Sequence, residues 1–412
     1  MRRCRLVLFV VLSFVSNAAL AQNDVTAHVE RLGNPLQKMY RNERVYARNV
    51  WDLQAYDGRL YIGGGNSSNL GPARNAGPVP LMSWDPVSKR FVREFVVDDE
   101  QIDVYYVFGQ RLYTPGHDPR ESWELGNFYR REPDGLWKKH RNIPKGIHTY
   151  AMHSAGGLLF AGLGTKAGAT VAVSRDEGET WAKTDLGGRR IHAFLEAGSV
   201  ICAADVFYGS ETRARLKAEG LSHVSVHEFD GKDAFVKRPD LTSSVVFPGT
   251  ELQGAKRRKV VKPVSWRAGT AYIGGYCHND HQFMPFGLYF AGNLEVSRID
   301  VRRFELPANE KVWDLFVKGD RLFVLTAGRR GAGQLVRVLE TRDFKDAREV
   351  LRFECGTFAR SFELLDGDFY FGLGCEIEDA HHWDQKELHP MTGDIICVKA
   401  EYFSVAADRD DR

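Results

Sequence analysis

The sequence predicts an all-β protein: a seven-bladed β-propeller of four-stranded antiparallel blades, its ring closed by an N-terminal strand. Three observations predict it. A strand–turn–strand unit recurs seven times, most successive units lie about 50 residues apart, and 40 of 412 residues are glycine, which supplies the turns.

In each unit an alternating apolar segment leads through a Gly- or Asp-containing turn into a short aromatic-rich one. The first segments are Val50–Leu53, Ile102–Phe108, His148–His153, Ile191–Leu195, Val260–Trp266, Val312–Leu315 and Phe358–Leu364. The second segments carry the anchors Tyr61, Tyr113, Phe160, Ile201, Tyr272, Phe323 and Tyr370, usually followed by small residues. A second hairpin follows most anchors, as in Leu81–Phe95, Val224–Lys237 and Leu335–Leu351. A lone four-stranded unit cannot bury its faces, so neighbouring blades must stack. Ser210–Gly220 is predicted to be a short inserted helix, and 241–259 a long basic loop. The last blade lacks a fourth strand, and Lys38-Met39-Tyr40 resembles the ends of other blades, such as Lys89-Arg90-Phe91. Residues 36–46 are therefore predicted to complete blade seven.

Residues 1–21 read as an export signal. Arg2, Arg3 and Arg5 precede an apolar run from Leu6 to Val15, and Ala19-Leu20-Ala21 offers a cleavage site. The expected location is secreted or periplasmic. Residues 22–35 form an N-terminal extension, 36–403 the propeller and 404–412 a charged tail. The apolar run is too short for a membrane span. Losing three arginines takes the formal charge from +2 to about −1, a balance that speaks against a nucleic-acid partner. A monomer is expected. Five cysteines remain, an odd number. Cys355 precedes the first strand of blade seven and Cys375 follows its second, which predicts a Cys355–Cys375 disulfide.

Ser174-Arg175-Asp176-Glu177-Gly178-Glu179-Thr180-Trp181 matches S-x-D-x-G-x-T-W. It resembles the Asp-box (BNR repeat) of sialidases and related propellers. The resemblance covers eight residues and implies a structural hairpin between the third and fourth strands of blade three, with the Trp packed between blades. It implies the fold and not the activity: this chain has one clear box and lacks the early Arg-Ile-Pro motif of sialidases. Secreted propellers also include lyases of uronate polysaccharides, an analogy of fold alone.

In a propeller the start of strand one and the loop after strand two share a face, where ligands usually bind. Aligned on the anchors, Trp51, Asp103, Tyr150, Ile191, Lys262, Trp313 and Arg360 form a ring there. Aromatic faces suit sugar rings, and cations suit carboxylate or sulfate. Packing or a solvated channel accounts for the same residues without a ligand. Asn66, in a Gly/Asn/Ser-rich loop, offers hydrogen bonds, and Arg329 follows strand two of blade six. His117 is followed by Asp118, which can orient it only if their side chains converge. His148 and Tyr150 open blade three. Tyr276-Cys277-His278-Asn279-Asp280-His281 is the densest polar cluster. Cys277, His278 and His281 are candidate ligands of a structural zinc or calcium ion, against a polar loop without metal. Glu376 and Glu378 are candidate acids, and Lys256–Lys259 a basic rim.

These residues favour binding, and possible cleavage, of an extracellular glycan, with anionic uronate polysaccharide preferred. Beta-elimination must neutralise the carboxylate, abstract the C5 proton and protonate the leaving oxygen. Lys262 or Arg360 would neutralise, His117 or His148 abstract, and Tyr150 protonate. The alternatives are a glycoside hydrolase, with Asp103, Asp118, Glu376 and Glu378 as candidate carboxylates, and a non-catalytic glycan- or protein-binding module.

Overall fold

The computed structural model describes residues 23–40, 44–67, 75–166, 168–187, 190–206, 224–250, 257–278, 282–375 and 388–405. Seven four-stranded antiparallel sheets form the blades. Their first strands are Leu53–Tyr56, Tyr106–Phe108, His148–Ala155, Arg190–Ala197, Arg257–Trp266, Lys311–Lys318 and Ala359–Leu365. All seven contribute to the wall of one central cavity. Every predicted anchor lies in a second strand.

The core lies between blades. Tyr113 and Phe128 of blade two meet Leu159 and Ala161 of blade three, and Leu195 and Val226 of blade four meet Tyr272 and Tyr289 of blade five. Phe323 and Val336 of blade six pack on Phe362 and Phe371 of blade seven. Each fully buried side chain of this size contributes roughly 1.5–3 kcal/mol. The small residues after the anchors have a steric cause. A Cβ on Gly162 would come within 2.6 Å of Ile191, and one on Gly372 within 2.2 Å of Val50, each on the next blade's entry.

The ring closes as a mixed blade. Ala359–Leu365, Asp368–Leu373 and Ile395–Val398 are joined by Val29–Gly33, with Val29 opposite Val398 and Arg31 opposite Ile396. The closing strand thus precedes residues 36–46 and lies in the segment read as an extension. Residues 35–39 form turns instead, and Tyr40 buries its ring. Arg31 fixes the closure through two hydrogen bonds to the buried Asp394 carboxylate, at 2.6 and 3.1 Å.

The Cys355–Cys375 disulfide does not form. Thr357, not Cys355, lies beside the end of strand two, donating its hydroxyl to the Gly374 carbonyl at 2.6 Å. Cys355 still belongs to the fourth strand of blade six, opposite Gln334, while the Cys375 thiol accepts from Asn49 Nδ2 at 3.2 Å. The predicted helix at 210–220 and the signal at 1–21 lie outside the described residues. No helix among the described residues is long and apolar enough to cross a membrane.

Candidate functional site

Five of the seven first strands present their central residues by a shared device. The strand-one/strand-two registers skip between Thr149 and Ala151, Ile191 and Ala193, Val261 and Val264, Val312 and Asp314, and Ala359 and Ser361. The skipped residues are Tyr150, His192, Lys262 with Pro263, Trp313 and Arg360. A bulge leaves one residue unpaired and re-aims its side chain. These side chains line a cavity of about 820 Å³ at the ring centre. Ile191 is therefore corrected to His192: Ile191 is fully buried between blades, and the next residue enters the cavity.

A two-stranded sheet absent from the sequence reading builds one side of the mouth. Asp99–Gln101 pairs with His117–Pro119, placing Gln101 opposite His117. Buried Asp99 ties this sheet to blade two by accepting from Asn127 at 3.2 Å and Tyr129 at 2.5 Å. Gln101 accepts from the Ser67 amide at 2.9 Å and donates to Asp103. Asn66 is buried here beside Ser67 and contributes to the cavity wall.

The mouth holds two imidazole–carboxylate pairs. His117 Nδ1 is 3.0 Å from Asp103, and His148 Nδ1 is 2.7 Å from Asp118. Asp118 thus serves His148 rather than its sequence neighbour. Successive strand residues point to opposite faces, and Asp118 sits in the left-handed region at φ 66°. Tyr150 lies between them: His117 meets its edge at 4.8 Å between ring centroids, His148 stacks at 5.3 Å and His192 at 4.2 Å. Arg190 donates to the Tyr150 hydroxyl at 2.5 Å. Gly164 leaves room for this pair, since a Cβ there would meet the Tyr150 ring at 2.9 Å. Lys259 also lines the cavity.

The environments separate the three imidazoles. Burial lowers the pKa of His148, with Asp118 opposing. Burial, reinforced by Lys259 and His117, holds His192 well below the usual range. Burial also disfavours the His117 cation, but Asp103 and Asp118 outweigh it and its pKa is raised. The mouth therefore combines two imidazoles biased toward the neutral form with one biased toward the cation.

Two predicted cations are held elsewhere in the cavity. Lys262 contacts Asp52 and lies 3.3 Å from Asp314, close to the channel wall rather than at the histidines. Arg360 is buried, donates to Asn49 Oδ1 at 3.0 Å, and has Trp51 and Trp313 rings at 4.4 and 5.4 Å. Trp51 itself donates to the Gly65 carbonyl at 2.7 Å. Tyr276 lies outside the cavity lining, stacked on Phe286, and Arg329 is exposed on blade six. The side chains of Cys277, His278 and His281, like Glu376 and Glu378, lie outside the described residues. Among the described residues no group of three or more His, Cys, Asp or Glu has the placement to hold a metal ion. Arg190 and His192 were missed as site residues. Their signal is the basic run Arg189-Arg190-Ile191-His192 at the entry to blade four.

No family model matches the chain, and no curated protein matches it. Among solved structures it is similar to hydrazine synthase of Kuenenia stuttgartiensis (13% identity, 80% of this chain and 93% of that one, TM-score 0.48). It is also similar to the Pan2 WD40 domain of Neurospora crassa (10%, 90% and 94%, 0.48) and to virginiamycin B lyase of Staphylococcus aureus (9%, 85% and 94%, 0.45). At these identities the functional argument rests on the site itself.

Proposed function

We propose that the protein is an exported polysaccharide lyase that cleaves an anionic, uronate-containing glycan by β-elimination. The observation that supports this reading is the convergence of His117, His148 and Tyr150, with Arg190 on the phenol. With His148 Nδ1 against Asp118, Nε2 is the nitrogen turned away from the carboxylate, and it takes the C5 proton. The released electron pair forms the C4–C5 double bond as the C4–O bond breaks. The Tyr150 hydroxyl gives its proton to the departing oxygen. Arg190, Lys259 and His117, whose cation Asp103 favours, offset the substrate carboxylate and the charge that builds on C5. Glycoside hydrolysis is served less well, because Asp103 and Asp118 each face an imidazole.

The test is incubation with a panel of uronate polysaccharides, following ultraviolet absorbance of unsaturated ends together with reducing ends. Both should rise in step. Tyr150→Phe and His148→Ala should each lower kcat by about 10²–10⁴-fold with unchanged thermal stability. Reducing ends without unsaturated ones would mean hydrolysis, and binding without either would mean a glycan-binding module. The pH profile carries a sign. His148 must be neutral to act, and burial puts its pKa below 6.5, so the rate should hold as pH falls to 6.5 and decline only below it.

A further inference from the structure

A second groove, of about 670 Å³, lies on the same face, further from the ring centre and between blades two and three. Its wall includes Ile147, the residue before His148. Thr165 and Lys166 follow Gly164, which pairs with His148, so they stand at the mouth end of that strand pair. Trp123 lies three residues past Arg120, in the turn that leads into the third strand of blade two at Leu125, beside the Lys145 amide that donates to the Glu124 carbonyl at 2.6 Å. The groove therefore continues outward from the His148–Tyr150 cluster.

Its lining is unusual for this molecule. Trp123 is 55% exposed, whereas the other tryptophans among the described residues are buried or half-buried. Lys166 stands 5.3 Å from the centre of its ring. Lys145 and Lys183 complete the basic side, and Lys145 holds a left-handed backbone at φ 57°. The acids of the groove are partly committed: Asp185 accepts from Lys183 and Thr170, and Glu121 pairs with Lys139 and Arg141. An indole flanked by lysines and carboxylates matches a ring with one apolar face, hydroxyls on its edge and an acidic substituent.

We infer that this groove is an outer subsite for one further uronate residue of the same glycan chain, with Trp123 as the stacking platform and Lys145 and Lys166 as the carboxylate contacts. The inference rests on the lyase reading for the identity of the chain. The sugar stacks its C–H face on the indole, and the groove holds the polymer while the bond at Tyr150 is broken. The subsite acts on binding alone, so it favours long chains over short ones.

The experiment uses the full chain carrying Tyr150→Phe, with affinity electrophoresis through gels containing polygalacturonate, alginate or chondroitin sulfate. Trp123→Ala and Lys166→Gln, added separately, should each weaken retardation about tenfold, the loss of one stacking or charge contact. On the unsubstituted background the same changes should raise KM for the polymer and leave kcat and the KM of the shortest cleaved oligosaccharide unchanged. Release of unsaturated products with retardation and polymer KM unaltered in both variants overturns the subsite and leaves the lyase. Retardation that depends on Trp123 in a protein yielding no unsaturated product keeps the subsite and overturns the lyase. No retardation on any gel overturns the subsite.

Discussion

Lys262 occupies a position where sequence reasoning sees a cation awaiting an anionic ligand, yet the protein supplies the anions itself. Asp52 and Asp314 hold it, and its left-handed backbone, at φ 48°, is a conformation that costs of order 1–3 kcal/mol outside glycine. Removing one member of a buried ionic cluster leaves charge uncompensated. Lys262→Met should therefore destabilise the fold by about 3–5 kcal/mol at neutral pH in denaturant titrations. The same cavity contains Glu363, which accepts from the Leu364 amide at 2.8 Å and from the Ala55 amide at 3.3 Å. Burial, reinforced by the Asp314 and Asp52 carboxylates, pushes it up from 4.5 to about 8. A carboxyl raised on folding stabilises most below its unfolded value. Its contribution should be complete below pH 4.5 and lost as pH rises through about 8. Thermal unfolding across that window should show the decline, and Glu363→Gln should flatten it. Neither effect was legible from residue type alone. A lysine in the ring was visible at position 262, but its partners come from blades one and six, remote in the chain.

The hairpin segment Ser174–Trp181 shows why some elements could be read in advance. Asp176 accepts from the Thr180 amide at 2.8 Å and hydroxyl at 2.5 Å, and the Ser174 hydroxyl accepts from the Gly178 amide at 2.8 Å. All these partners lie within four residues, so the sequence itself contains the whole device. Trp181 then turns its edge to Phe128 of blade two at 5.9 Å. Gly178 has φ 92°, and a Cβ there would meet Phe128 at 2.7 Å. Gly178→Ala should cost about 1–3 kcal/mol in equilibrium unfolding through backbone strain and crowding. The bulges in strand one are the opposite case. Their unpaired residues were found to within one position by counting back from the anchors, but the one-residue slip at Ile191 concealed His192. Nothing local distinguishes the two, because the bulge is fixed by pairing with strand two. The small sheet that joins Gln101 to His117 was also hidden, since its strands are three residues long and too short for a period-2 signal.

For the molecule as a whole, closure depends on two distant segments meeting, Val29–Gly33 and Ile395–Val398. The need for a closing strand followed from counting strands in the last blade. Its position did not, because Lys38-Met39-Tyr40 mimics the end of another blade, while the adjacent charges Glu30 and Arg31 break the period-2 alternation of Val29-Glu30-Arg31-Leu32. Deleting residues 23–33 should expose the edge of Ile395–Val398 and leave Asp394 without Arg31. Lower thermal stability and early protease cleavage in blade seven are the expected outcomes, read by calorimetry and limited proteolysis. The recurrent bulge has a different consequence. Tyr150 and His192 are displayed by backbone that would adopt the same path with other side chains, while the flanking positions Ala151, Ile191 and Ala193 carry the packing. At these two positions recognition and architecture are thereby assigned to different codons, so a library randomised at 150 and 192 should yield mostly folded proteins with altered ligand preference.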